Sequence, residues 1–214
     1  MTPVARSAVA AVIAAAVLLM VFHWQSQRVQ ATAGFWYAEG ALSLPAEDER
    51  RLGGPLTDAE ITTIQHVSRA ELARAFAGLR IRFTEKRDAL WRIEVRQDLD
   101  APERIRYGSP SGAAESIVLG ALGGRGTVSF VSLAQYAVSL APPRASRGEI
   151  VEAIARGIGR AAAHEFAHQI VVGSRHNPAD ENSYEYPYAA RASQYYGELH
   201  WTTARAGLVR RLGP

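Results

Sequence analysis

The chain has 214 residues, of which 48% are hydrophobic and 21% charged, and a formal net charge of +3. This is enough for one domain with a full apolar core, and the absence of cysteine excludes thiol catalysis, cysteine-ligated metal and disulfides. Lys86 is the only lysine, and arginines such as Arg74, Arg80, Arg82 and Arg87 alternate with acids and apolar residues, the pattern of a solvated surface rather than of a nucleic-acid face.

At the N-terminus an unbroken small or apolar run from Ala8 to Phe22 follows Arg6, and the first acid is Glu39. The run is at the short end for a spanning helix, which needs about 17 to 25 residues, although Ser7, His23 and Trp24 can extend it at the interfaces. It also fits the apolar part of a signal peptide, with Ala31-Thr32-Ala33 as a small-x-small cleavage pattern; a helix buried in the folded domain is the third reading. Residues 1–24 are therefore read as a signal anchor or signal peptide. Both put the rest of the chain outside the cytoplasm: membrane-anchored through the N-terminal helix, or secreted or periplasmic if that helix is cleaved.

Residues 25–55 have no sustained period and frequent Gly, Pro and charge, so they read as linker and irregular approach to a domain over 56–214. Thr57 or Asp58 then offers an N-cap, and Ile61, Ile64, Val67, Leu72, Phe76 and Leu79 give a helical stripe of about 20 residues. Ile81–Thr84 and Trp91–Val95 alternate apolar with polar and predict two short half-buried strands. After a loop with Pro and Gly, residues 116–119 and Thr127–Val131 are further strand segments, separated by a Gly-rich turn over 120–126. That turn lacks the Gly-Lys-Ser/Thr ending of a phosphate loop and is read as a plain turn.

Ser146 with Glu149 forms a capping-box pattern, and Val151, Ile154, Ile158, Ala162, Phe166 and Ile170 form the apolar stripe of the helix that follows. On it lies Ala163-His164-Glu165-Phe166-Ala167-His168-Gln169. His164 and His168 fall on a face away from the stripe, together with Gly157 and Ala161, so the core is filled without them. Two imidazoles one turn apart can reach the same ion, with Glu165 beside it; the pattern H-E-x-x-H assigns two Zn2+ ligands and a general base. Zinc needs a third protein ligand, and His176, Asp180, Glu185, Glu198 and His200 are the downstream candidates. After Gly173 the sequence predicts a polar turn to about Ser183 and a helical stretch from Tyr188 to Arg211.

The segment resembles the metzincin zinc metallopeptidases, whose pattern is H-E-x-x-H-x-x-G-x-x-H. Here it reads His164-Glu165-x-x-His168-x-x-x-x-Gly173-x-x-His176, keeping the Gly-x-x-His ending but with two extra residues before it. If helical, these add roughly 3 Å of rise and 200° of turn, so His176 can coordinate only if the helix ends early or the turn differs. The family's Met-turn is missing, since Met1 and Met20 are the only methionines. A competing resemblance is to gluzincins, in which Glu198 or Glu185 would complete the site.

The metzincin resemblance favours His176 as third ligand. It implies an α+β fold: a long first helix, a small twisted mixed sheet, and the zinc helix packed on it. It also implies that one sheet-edge strand, taken as Thr127 to Val131, pairs with an extended peptide. Tyr184, or alternatively Tyr186, is the candidate phenol for stabilising an oxyanion; His66 and His200 are read as structural. The expected function is an extracytoplasmic zinc endopeptidase acting on a peptide or protein substrate, with Glu165 as general base. The alternatives are a membrane-anchored binding or structural protein with a non-catalytic zinc site, and a zinc hydrolase of non-peptide substrates.

Overall fold

β1 (Ala31–Tyr37) runs through the middle of the molecule, although its residues precede the predicted domain. The computed structural model describes residues 30–99, 113–119 and 123–214. The described chain continues with α1 (Ala46–Leu52), α2 (Asp58–Ala75), β2 (Ile81–Thr84), β3 (Trp91–Arg96), β4 (Ala114–Val118) and β5 (Gly124–Ser129). It ends with α3 (Phe130–Ser139), α4 (Arg147–Ile170), α5 (Ser193–Tyr196) and α6 (Ala204–Leu212). This is a mixed α/β arrangement with one five-stranded mixed sheet in the order β2-β1-β3-β5-β4. β4 runs antiparallel to β5, and the other neighbours are parallel.

The linker reading of residues 25–55 is corrected, because β1 is hydrogen-bonded between β2 and β3 and α1 follows it. Ala31-Thr32-Ala33 is thus part of the sheet, with Ala33 fully buried, and does not stand free as a cleavage segment. The apolar run Ala8–Phe22 lies outside the described residues. Among the described residues no helix is long and apolar enough to cross a membrane.

β2 pairs with the first half of β1 and β3 with the second, so the short link between them crosses over β1. It crosses at Gly34, where a Cβ would collide with the Lys86 carbonyl. At the other end of the sheet, β5 is covered by β4 on its outer side, so the edge strand is β4 and not residues 127–131. Ser129 closes β5 and caps α3, accepting from the Ser132 amide at 3.2 Å, so the chain turns helical at Phe130.

The predicted capping box of Ser146 with Glu149 is present on α4, and of the two N-cap candidates of α2 it is Thr57 that caps, in a second capping box with Glu60. α2 is unbroken at Ser68. α4 lies across β3, β5 and β4 with α2 beside it, and the stripe Val151, Ile154, Ile158, Ala162, Phe166 and Ile170 is buried. Gly159 lets α2 approach: a Cβ there would sit 2.9 Å from the Glu71 Cβ. Next to it, the Arg160 Nε donates to Glu71 at 2.7 Å, with residue exposures of 2% and 3%. The helix predicted over 188–211 is in fact α5 and α6, separated by an extended piece in which His200 bridges to Ser183.

Removing one partner of a buried ion pair leaves the other charge desolvated, at a cost of roughly 3 to 5 kcal/mol. Arg160→Ala should lose stability of that order in urea unfolding. A change below about 1 kcal/mol would contradict the role given to this pair.

Candidate metal centre

His164 and His168 project from the last two turns of α4 with their Nε2 atoms 3.0 Å apart, and the His176 Nε2 lies 3.1 Å from that of His168. The three nitrogens form a group able to hold one metal ion. On a tetrahedral zinc at about 2.0 to 2.1 Å, imidazole nitrogens stand about 3.4 Å apart, so the spacing fits such an ion.

His176 reaches the group because the helix stops early. α4 ends at Ile170, Val171 leaves helical geometry at ψ 88°, and Gly173 turns the chain at φ 78°, a left-handed conformation that favours glycine. The two residues in excess of the metzincin spacing are therefore used in the turn rather than as helical rise.

The other ring nitrogens are also engaged. The His164 Nδ1 donates to the Tyr184 carbonyl at 2.6 Å, and the His168 Nδ1 shares a 2.9 Å hydrogen bond with the Ser174 hydroxyl. These bonds leave both Nε2 atoms for a metal. Burial pulls both imidazoles down to about 4, so both are neutral, the ligating form, at neutral pH. Glu165 is buried on the same helix. Burial pushes its carboxyl up, opposed by the charge of His168 and hydrogen bonding from Ser116.

The remaining candidates lie elsewhere. Asp180 Oδ2 is 2.9 Å from the His200 ring, and Glu198 is solvent-exposed outside the histidine group. Glu185 is buried under the neighbouring loop. Its carboxylate accepts from Thr202 N and Oγ1 at 2.6 Å each, Thr203 Oγ1 at 2.6 Å, Ala204 N at 2.5 Å and the Ser183 hydroxyl at 3.0 Å. Burial raises this carboxyl, but the hydrogen bonds, led by the Thr202 hydroxyl, prevail and hold it at about 2. It caps the N-terminus of α6, which no side chain of its own caps, and places a negative charge at the positive end of that helix. From the same residue the backbone carbonyl accepts from Asn177 N at 2.9 Å, which fixes the segment carrying His176.

Tyr184 lines the cleft and serves the site through its carbonyl. The ring packs on Trp201 at a centroid distance of 4.7 Å, and burial, then the charge of Glu71, pushes the phenol up to about 12, which keeps it a protonated donor. The Tyr186 ring lines the cleft, with its hydroxyl 3.4 Å from Glu181. Sequence reasoning overlooked Ser174 and Arg191; the only signal for Ser174 is its place in the short turn between two ligands.

Beside the histidines is a cleft of about 300 Å³, bounded along one side by β4 residues Ala114 to Ser116 and on the other by Tyr186, Tyr188 and Arg191. Gln169 ties the metal helix to the sheet: its Oε1 accepts from Arg92 N at 3.1 Å and its Nε2 donates to the Ser116 hydroxyl at 3.1 Å. Gly124 makes room, since a Cβ there would come 2.5 Å from the Gln169 Cγ.

The chain matches no family model, curated protein or solved structure.

Glu185 lies below its ordinary value of 4.5 in the folded protein, so its stabilising contribution is full above about 4.5 and fades as pH falls toward 2. Glu185→Gln should lose roughly 2 kcal/mol at neutral pH, the scale of hydrogen bonds to a charged group, and should flatten the pH dependence of stability between 4.5 and 2. Thermal melting across that window checks both; an unchanged slope would contradict the assignment.

Proposed function

We propose that this protein is a zinc-dependent endopeptidase of metzincin-like chemistry, with zinc held by His164, His168 and His176. The observation that carries the reading is the convergence of three imidazole nitrogens beside a buried glutamate at the wall of a cleft. Bound there, zinc would supply Lewis-acid polarisation of a carbonyl and lower the pKa of a water at its remaining position.

Glu165 is the general base. Its partial desolvation raises its affinity for a proton, and the helix places it next to both ligating histidines without joining them, so it can take a proton from the attacking water and hand it to the departing amine. The Tyr184 carbonyl and the Ser174 hydroxyl fix the tautomer and tilt of two ligands. β4 supports a peptide as substrate: among the described residues it is the outermost strand of the sheet, paired with β5, so its outer side can take an extended backbone by strand addition along the cleft. The apolar run Ala8–Phe22 favours a domain working outside the cytoplasm, anchored to a membrane or released from it.

Metal analysis should find one zinc per chain, lost in a His164→Ala, His168→Ala double variant. Glu165→Gln should retain the zinc and lose peptide hydrolysis by a factor of at least about 100, on the scale of general-base catalysis. Hydrolysis undiminished in Glu165→Gln would refute the mechanism. A folded, zinc-supplemented protein that binds no zinc would refute the centre itself.

A further inference from the structure

Two arginines are buried near the histidine group, Arg160 on α4 and Arg191 in the segment before α5, and they are treated differently. Arg160, 2% exposed, meets the carboxylate of Glu71. Arg191, 7% exposed, has only neutral acceptors. It donates through Nη1 to the Glu181 carbonyl and through Nη2 to the Ser183 carbonyl at 2.8 Å and the Gln194 side-chain oxygen at 3.0 Å. Its Nε is buried with no acceptor. Of the five N–H donors of a guanidinium, three are thus used and two are not. The Glu181 side chain is exposed and sits against the Tyr186 hydroxyl, and no carboxylate among the described residues forms an ion pair with Arg191.

A desolvated cation without a counter-ion is costly, and proteins keep one where an anion is to be received. Burial draws the Arg191 guanidinium down to about 10. The side chain lines the metal cleft, stacks at 4.7 Å over the Tyr186 ring, and is close enough for its charge to act on His164. A carboxylate entering the cleft would supply the countercharge that the hydrogen-bond partners of Arg191 lack.

We propose that Arg191 makes this cleft a receptor for a carboxylate next to the bond being cut, so that substrates carry an acidic side chain at that position, as fits cutting within chains, or a free C-terminal carboxylate, in which case the enzyme trims chain ends instead. This rests on the peptidase reading for the word substrate, but the anion site itself does not depend on catalysis.

The test is binding to the full chain in detergent, zinc-loaded and zinc-free, using three probes: N-acetylglutamate α-amide, N-acetylalanine with a free carboxylate, and the neutral N-acetylglutamine α-amide. At least one carboxylate probe should bind about tenfold more tightly than the neutral one, with and without zinc, and Arg191→Gln should reduce this preference to less than about twofold. Which probe wins distinguishes an acidic side chain from a chain terminus. Equal binding of all three, a preference that survives in Arg191→Gln, or one that vanishes when zinc is removed would overturn the proposal.

Should Arg191→Gln fail to fold, Ala189→Asp on the same wall supplies an internal carboxylate and should abolish the preference; its persistence would overturn the proposal equally. Carboxylate discrimination without cleavage of any peptide would refute the peptidase reading and leave the anion site standing. Cleavage without any acidic preference would do the reverse.

Discussion

The contact on which the site depends is the buried pairing of Arg160 with Glu71. α4 must present an apolar stripe to the sheet and two imidazoles to a cleft, and a rotation of about 100°, one residue, would exchange these faces. Arg160, His164 and His168 follow one another at four-residue spacing, so fixing Arg160 against α2 fixes the direction in which the histidines point. The same guanidinium donates to the carbonyls of Ser193 and Gln194, at 2.8 and 3.2 Å, and so attaches α5 to the metal helix. Gly157 and Gly159 keep both neighbours close: a Cβ at Gly157 would stand 2.5 Å from the Tyr195 ring. A more hydrophobic joint would pack as well but would define the helix phase less sharply, since apolar contacts are non-directional.

The loop after α4 has too few apolar residues to form a core of its own, and Glu185 replaces one. Its carboxylate collects hydroxyl and amide donors from residues 202–204, and its carbonyl holds Asn177 beside His176. Tyr184, its neighbour, aligns His164 through a carbonyl. One buried anion thus orients an imidazole on the helix and another on the loop, which explains why a residue that looked like a metal ligand in sequence lies near the histidine group without joining it.

How much could be read in advance follows from the physics of each segment. α2 and α4 were legible because capping boxes and a 3.6-residue stripe are local signals, and β2 and β3 because half-buried strands alternate. β1 was not: Ala31, Thr32 and Ala33 give little contrast between its two faces, and Gly34 interrupts the alternation and resembles a linker residue until the crossing of Lys86 explains it. α3 was missed because its apolar residues continue directly from β5, and only the Ser129 cap marks the change. That His164 and His168 face one point follows from their spacing, and His176 was one of several candidates to join them, whereas the carbonyl of Tyr184 could not be named, because a backbone acceptor leaves no trace in residue identity.

The placement of charge around the cleft follows from that same burial. The burial that lowers the basicity of His164 and His168 also raises the cost of every charge nearby. Glu71 meets Arg160, and Glu185 is surrounded by donors, so both acids are compensated within the fold. Arg191 makes its hydrogen bonds to neutral acceptors alone, with the exposed Glu181 acting on it from a distance, and it is also the one of these charged groups that lines the cleft. The uncompensated charge thus sits where a ligand can reach it and the compensated ones where it cannot, a distribution in which the bound ligand supplies the ion pair that the fold omits.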